Sequence, residues 1–454
     1  MKLLLVYPPF CTPSILPYSI SYLKSFVKDN LDVDVKCLDL NAKFHKLKFK
    51  KYYSELNQTE IKKSIEKTGE ILFKFNEESK PVYRGNNNKV VRGEEPELIK
   101  ELIQLIIDEK PDLVGFSVVY NSQCFYATVF LNELRARGIN CVVGGPSANE
   151  KMRSENICLK NEVELVEYIE KTFDVVKKYS GHCNCSTVND YLDYSEDDYL
   201  CSESIIPLKT CSTCFYRQCA FCTHYKDEFY FEYELENIKK TIVNSGKKYF
   251  FLIDDMVSIP RIIQLAKIFK ELKVIWSCQL KPTTDLIDVL PQLYESGLRC
   301  VCWGVESGNQ RVLDLMKKGT KINEVKDVLI ASSKIGIKNI AFIMFGFPGE
   351  TETEFKDTIK FLKDNSDNID LVSTSIFGLQ KGSKVYNNPE EYGIVKITEK
   401  PRTILDERIS FTVDAGMTPQ RVAAIKDNYS RTIQKLDKLP RIFNYFKEQI
   451  MLFD

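Results

Sequence analysis

The stretch Thr210-Cys211-Ser212-Thr213-Cys214-Phe215-Tyr216-Arg217-Gln218-Cys219-Ala220-Phe221-Cys222-Thr223-His224 decides how this chain is read. Cys214, Cys219 and Cys222 place three thiols on one short loop, a set suited to a cubane iron–sulfur cluster whose fourth iron has no protein ligand. An iron with an open position binds and activates a small molecule, which a fully ligated structural cluster does not. Cys211 adds a C-x2-C, so a zinc site is the competing reading. Zinc ribbons usually separate their cysteine pairs by a dozen or more residues to wrap a tetrahedron, and the four residues between Cys214 and Cys219 are cramped for that. The three-thiolate cluster is the expectation; zinc and inert buried thiols are the alternatives.

Apolar strand-like runs flank this loop at residues 205–209, 249–253, 274–277, 300–304, 340–345 and 371–377. Helical patterns lie between them at 262–272, 286–296, 324–335 and 352–363. Strands alternating with helices predict an α/β unit whose functional residues gather at the strand carboxyl ends. Cys278, Cys300 and Cys302 fall inside the strands and read as small core residues.

At this point the sequence resembles the radical S-adenosylmethionine (SAM) superfamily. That family's usual spacing is C-x3-C-x2-C. The C-x4-C-x2-C found here departs by one residue and resembles members with an N-terminal cobalamin-binding domain. The resemblance continues through Phe251-Leu252-Ile253-Asp254-Asp255, Trp276-Ser277-Cys278-Gln279-Leu280-Lys281-Pro282, Gly304-Val305-Glu306-Ser307-Gly308 and Gly346-Phe347-Pro348-Gly349-Glu350-Thr351. It implies a six-unit partial β/α barrel over residues 205–395, with the cluster on Cys214, Cys219 and Cys222. It implies that Phe221 packs near the adenine of SAM and that Asp254-Asp255 accepts a hydrogen bond from the methionine ammonium. A helix N-cap is the plainer account of those two carboxylates. Glu306 and Ser307 are implied contacts of the ribose or methionine part, and Gly346 and Gly349 of the adenine. No catalytic residue is assigned.

Residues 1–179 also alternate strand and helix, with strands expected at 2–7, 33–38, 112–119 and 140–143. This predicts a Rossmann-like, doubly wound parallel sheet whose ligand crevice lies at the strand carboxyl ends, near Pro9, Ser117, Gly144 and Gly145. Those turns resemble their counterparts in cobalamin-binding domains, and cobalamin is an implied cofactor. No D-x-H-x-x-G stretch is present, and the histidines are His45, His182 and His224 alone. A histidine below the cobalt is therefore not expected, and a retained fold without the corrinoid is the alternative.

Residues 41–96 interrupt this domain. The basic, aromatic run 43–51 is expected as a solvated amphipathic helix rather than a nucleic-acid contact, with 86–88 and 92–96 as loops. Residues 180–204, carrying His182, Cys183 and Cys185, read as a linker. Residues 396–454 are expected to form a helical extension. Lys plus Arg equals Asp plus Glu at 63 each, so no global field favours nucleic acid or an anionic membrane. No apolar run reaches the ~18 residues of a membrane span, and the fifteen cysteines read as reduced thiols in the cytoplasm.

The resemblance implies reductive cleavage of SAM at a 4Fe-4S cluster to a 5′-deoxyadenosyl radical. An electron donor such as flavodoxin or ferredoxin and a small-molecule or peptide substrate are the implied partners. With cobalamin bound, methyl transfer to an unactivated carbon is expected; without it, epimerisation, crosslinking or another hydrogen abstraction. A protein that only senses iron or SAM is the alternative from a different class.

Overall fold

The apolar run Leu3-Leu4-Leu5-Val6 is fully buried and lies on an interior strand of a five-stranded sheet. The structure, a computed structural model, describes residues 1–178, 187–224 and 229–453. His182, Cys183 and Cys185 lie outside the described residues. Contacts divide the chain into two units. The first is Met1–Pro207 with Glu234–Lys247 and Pro401–Glu407; the second is Leu208–Tyr233, Lys248–Lys400 and Arg408–Asp454.

In the first unit, β1 (Lys2–Tyr7), β2 (Asp34–Asp39), β3 (Leu113–Ser117), β4 (Cys141–Gly144) and β5 (Cys158–Leu159) pair in parallel in the order β2-β1-β3-β4-β5. This doubly wound order reverses direction between β1 and β3, and ligands of such sheets bind outside the strand ends at that switch point. Leu3 and Leu5 pack on one face with Ile20, Phe26 and Val27 of helix Tyr18–Asn30 and with Val166 and Ile169 of helix Glu162–Phe173. Parallel strands covered on both faces read as continuous apolar runs, which is why the first four were legible. The two-residue β5 was too short to expect.

The insertion differs from expectation. It forms helices Leu40–Lys48, Lys50–Leu56, Thr59–Lys62 and Ile65–Val91, and the last runs through Pro81 and through Asn86-Asn87-Asn88. Asn86 is buried there, donating to the Val82 carbonyl at 3.0 Å and accepting from the Glu97 amide at 2.7 Å. The basic run is amphipathic as expected, but its inner face is deeply buried. Phe44, His45 and Phe49 meet Phe10, Phe75, Tyr83 and Tyr126. His45 is bonded at both ring nitrogens, to the Asn41 carbonyl and the Tyr83 hydroxyl, and burial pushes its pKa down to about 4. The described part of the linker is strapped to the sheet edge. Asp193 accepts from the Cys37 amide of β2 at 2.7 Å, and buried Lys24 grips Asp190 and Asp193, both at 2.8 Å.

The second α/β sheet has the order β11-β10-β9-β8-β7-β6, built from β6 (Ile205–Leu208), β7 (Tyr249–Leu252), β8 (Ile275–Leu280), β9 (Leu298–Glu306), β10 (Lys338–Phe345) and β11 (Leu371–Ile376). All six expected strands are found, and every pairing from β7 to β11 is parallel. The expected helical extension differs. β12 (Ile394–Lys400) and β13 (Arg408–Val413) form an antiparallel hairpin, followed by helix Pro419–Gln434 and short 3-10 turns at Arg441–Asn444 and Lys447–Leu452. The helix stops at Gln434 and Pro440 directly precedes the first 3-10 turn, while the alternation Ile397, Ile409, Phe411, Val413 packs the hairpin on the core beside Phe377 and Leu379.

Among the described residues no helix is long and apolar enough to cross a membrane. Gly145 has φ +106°, and a Cβ there would overlap the Val118 carbonyl oxygen and lie 2.9 Å from the Val118 nitrogen. Gly145→Ala should therefore lower stability by more than the ~1–3 kcal/mol of a strained φ alone, read as a fall in the urea midpoint with unchanged slope. An unaltered midpoint would show that this turn relaxes freely.

Candidate radical and corrinoid sites

The cysteine loop begins where β6 ends, and one carboxylate fixes it there. Asp254, following β7, accepts from the amide of Thr210 at 2.8 Å, the amide of Cys211 at 2.9 Å and the Thr210 hydroxyl at 3.0 Å. The Cys211 thiol donates to the same carboxylate at 3.1 Å. Asp254 is buried, and its pKa is pushed up by that burial against the donors that stabilise its charge. Cys211 is buried as well, and burial followed by Asp254 drives its thiol pKa far above the usual range. The fourth thiol that an all-cysteine zinc site needs is thus committed elsewhere.

The far part of the loop is pinned at several points. The Ala220 amide donates to the Met316 carbonyl at 2.9 Å, and its carbonyl accepts from the Val385 amide at 3.2 Å. Lys384 donates to the Gln218 carbonyl at 3.0 Å, and Thr223 to Gln380 at 3.0 Å. The Tyr216 hydroxyl donates to the Lys317 carbonyl at 3.0 Å. Between these pins Cys214, Cys219 and Cys222 are half-buried, and none is in a disulfide. The three sulfurs are close enough for Cys214 and Cys219 to act on the Cys222 thiol, whose pKa burial raises to about 11. Burial also pushes Cys219 up, and the Lys318 ammonium is the strongest influence drawing it back.

Among the described residues no three His, Cys, Asp or Glu side chains close around a single metal ion. A cubane asks for something looser, because each of its three thiolates meets a different iron. Three partly exposed thiols on a braced loop, with ammonium groups nearby to favour the thiolate form, fit that group.

Glu306 closes the far side. A register shift between Phe342 and Ile343 of β10 opposes Gly304 and Glu306 of β9 to adjacent residues, and Glu306 takes φ +65°. The bulge turns its carboxylate onto Lys318, 2.9 Å away, with both side chains largely buried. A Cβ at Gly304 would stand 2.7 Å from the Lys318 nitrogen, so the glycine makes room for the pair. Lys281, at the end of β8, lies 3.4 Å from the Tyr216 ring centroid, and burial together with Lys318 lowers its pKa to about 8. Lys281, Lys318 and Tyr216 were not singled out from sequence. Lysines read as solvated by default, and nothing local marks one that the fold will bury.

The remaining expected positions divide. Asp255 faces His224, whose Nδ1 lies 2.7 Å from its carboxylate and whose pKa is raised by that bond. Phe221 packs against the core around Phe347 and Leu379. Ser307 is fully buried, 3.1 Å from the Thr358 hydroxyl and accepting from the Asn309 amide at 3.1 Å. Gly346 faces Val422 of helix Pro419–Gln434, 2.8 Å from where a Cβ would stand, and the Gly349 carbonyl accepts from Arg311 at 2.7 Å. In the first unit, Pro9, Ser117, Gly144 and Gly145 converge at the ends of β1, β3 and β4. Ser117 donates to the Ser19 hydroxyl at 2.9 Å, and the Val118 amide to the Gly144 carbonyl at 2.8 Å.

Residues 208–362 match the family described as the radical SAM superfamily. A probable threonylcarbamoyladenosine tRNA methylthiotransferase of Methanocaldococcus jannaschii is 26% identical over 271 residues, 52% of this chain and 59% of that protein. An uncharacterized methyltransferase of Pyrococcus horikoshii is 25% identical over 213 residues, 46% of this chain and 43% of that protein. The chain thus spans about half the length of these curated relatives.

Two solved structures share the fold. The radical SAM methyltransferase TsrM of Kitasatospora setae, with tryptophan and a SAM analogue bound, has a TM-score of 0.68 at 13% identity, covering 100% of this chain and 96% of that one. The cobalamin-dependent SAM radical enzyme OxsB, with aqua-cobalamin bound, has a TM-score of 0.65 at 15% identity, covering 99% and 72%.

Asp254→Ala leaves two buried amides without an acceptor, at about 1–3 kcal/mol each. The variant should lose most of the iron bound by the wild type after reconstitution although no cysteine is touched, as counted by iron and sulfide analysis. Full iron retention would show that the loop holds its shape without the clasp.

Proposed function

We propose that this radical SAM enzyme transfers a methyl group to an unactivated carbon with the help of a corrinoid held by its first unit. The observation that carries the reading is the parallel sheet of order β2-β1-β3-β4-β5, with Pro9 and Ser117 at its switch point, in a chain that also bears the braced cysteine loop. The likeness to TsrM and OxsB extends over nearly the whole chain and supports it as a likeness of fold.

A three-thiolate cluster with SAM at its open iron supplies one-electron cleavage of the sulfonium, and a corrinoid supplies a methyl carrier. In this reading the protein's own groups position and shield those cofactors. Cys214, Cys219 and Cys222 ligate three irons. Asp255 accepts from the methionine ammonium, since both oxygens of Asp254 already serve the loop. Lys318, held by Glu306, offers its ammonium to the methionine carboxylate. Phe221, with the backbone at Gly346 and Gly349, lines the adenine. At the switch point no histidine of the insertion would be free to reach a corrinoid, because His45 is bonded at both ring nitrogens. An electron donor of the flavodoxin or ferredoxin kind and a small molecule or peptide as methyl acceptor complete the proposal.

Alanine at Cys214, Cys219 or Cys222 should abolish both the iron–sulfur absorption and SAM cleavage, while Cys211→Ala keeps both. Loss of iron from the Cys211 variant alone would overturn the ligand assignment. Anaerobic reconstitution with hydroxocobalamin should leave a retained pigment with no imidazole-bound spectrum. A protein that keeps no corrinoid, yet forms 5′-deoxyadenosine with substrate, would displace methyl transfer in favour of epimerisation or crosslinking.

A further inference from the structure

The two lysines beside the cysteine loop are not electrostatically equal. Lys318 is neutralised by Glu306 at 2.9 Å, and that pair is largely buried. Lys281 is also buried, at 8% exposure, but no carboxylate pairs with it among the described residues. Its ammonium sits on the face of Tyr216, 3.4 Å from the ring centroid, and its charge is felt at Cys219 and Cys214. Tyr216 belongs to the four-residue spacer between those cysteines and is fixed by its hydroxyl on the Lys317 carbonyl. Glu324 acts on Lys281 only from beyond ion-pair distance, so the spacer carries on its aromatic seat a positive charge that no carboxylate contacts among the described residues. A cation held against a ring and away from water is screened far less than a surface lysine.

We propose that Lys281 is a positioning residue that sets the reduction potential of the cluster through this charge on Tyr216. The inference rests on the cluster reading given above. Reduction adds one electron from an external one-electron donor, with no bond made or broken and no proton taken up. A three-thiolate 4Fe-4S centre then passes from one net negative charge to two. A fixed cation stabilises the more negative state and so raises the potential. Lys318 also acts on Cys219, but Glu306 beside it acts in the opposite sense and offsets much of its field.

The test is an anaerobic redox titration of the reconstituted protein without SAM, followed by electron paramagnetic resonance of the reduced cluster. Lys281→Met and Lys281→Gln should each shift the midpoint to more negative potential, by roughly tenfold in the reduction equilibrium or ~59 mV for one electron. Lys281→Arg should restore it. Glu306→Gln should shift the midpoint the opposite way, because it releases the charge of Lys318. A site that is merely loosened would move both neutral and Glu306 variants in one direction. Midpoints of both neutral Lys281 variants equal to the wild type, or a shift of Glu306→Gln in the same sense as theirs, would overturn the inference. A wild type with no reducible cluster signal overturns the cluster reading itself, and the inference with it.

Discussion

The second unit's site depends on a single buried carboxylate. Asp254 collects two amides, a hydroxyl and a thiol from Thr210 and Cys211, so the chain leaves β6 in one fixed direction. A carboxylate buried with this many donors is stable only while all of them are present, which makes the bond set cooperative. Everything downstream inherits that direction: the seat of Ala220 on Met316, the Tyr216 contact with Lys317, and the spacing of the three cysteines. Thermodynamically the clasp supplies beforehand the ordering that a ligand of the loop would otherwise have to provide.

The strands were legible because burial on both faces forces uninterrupted apolar runs, as in Leu3–Val6 and 340–345. Cysteine spacing exposed the loop because thiols so close together have few other uses. Other features depended on partners far away in sequence. Asn86-Asn87-Asn88 reads as a loop, and only the Glu97 amide bonded to Asn86 shows why a helix tolerates it. Basic residues 43–51 mask a helix whose other face carries Phe44, His45 and Phe49 into an aromatic cluster. The hairpin of β12 and β13 has a half-buried alternation too weak to outweigh the charged residues around it.

Three of the positions chosen from sequence carry structural duties. Asp254 anchors the loop, and Ser307 ties the turn after β9 to Thr358. Gly145 is small because the Val118 backbone crosses it, a reason internal to the first unit's own turns. A motif position thus holds two kinds of information, the group that meets a ligand and the group that holds it in place. Sequence shows the position and only coordinates separate the roles.

Burying Lys318 against Glu306 costs desolvation that the pair's attraction recovers only when the geometry is tight. Here the fold provides that geometry in three steps: a bulge in β9, a positive φ at Glu306, and a glycine at 304 that leaves room for the ammonium. Each is a local departure from regular strand structure, and such departures persist only where surrounding packing over-determines them. Their convergence on one ion pair beside the cysteine loop argues that the pair's orientation is what the strand end is built to hold. Stability alone would be served better by apolar side chains of similar volume. An ammonium already desolvated and aimed meets an anionic group without reorganising, which is how a fixed charge acts most strongly in a low-dielectric site.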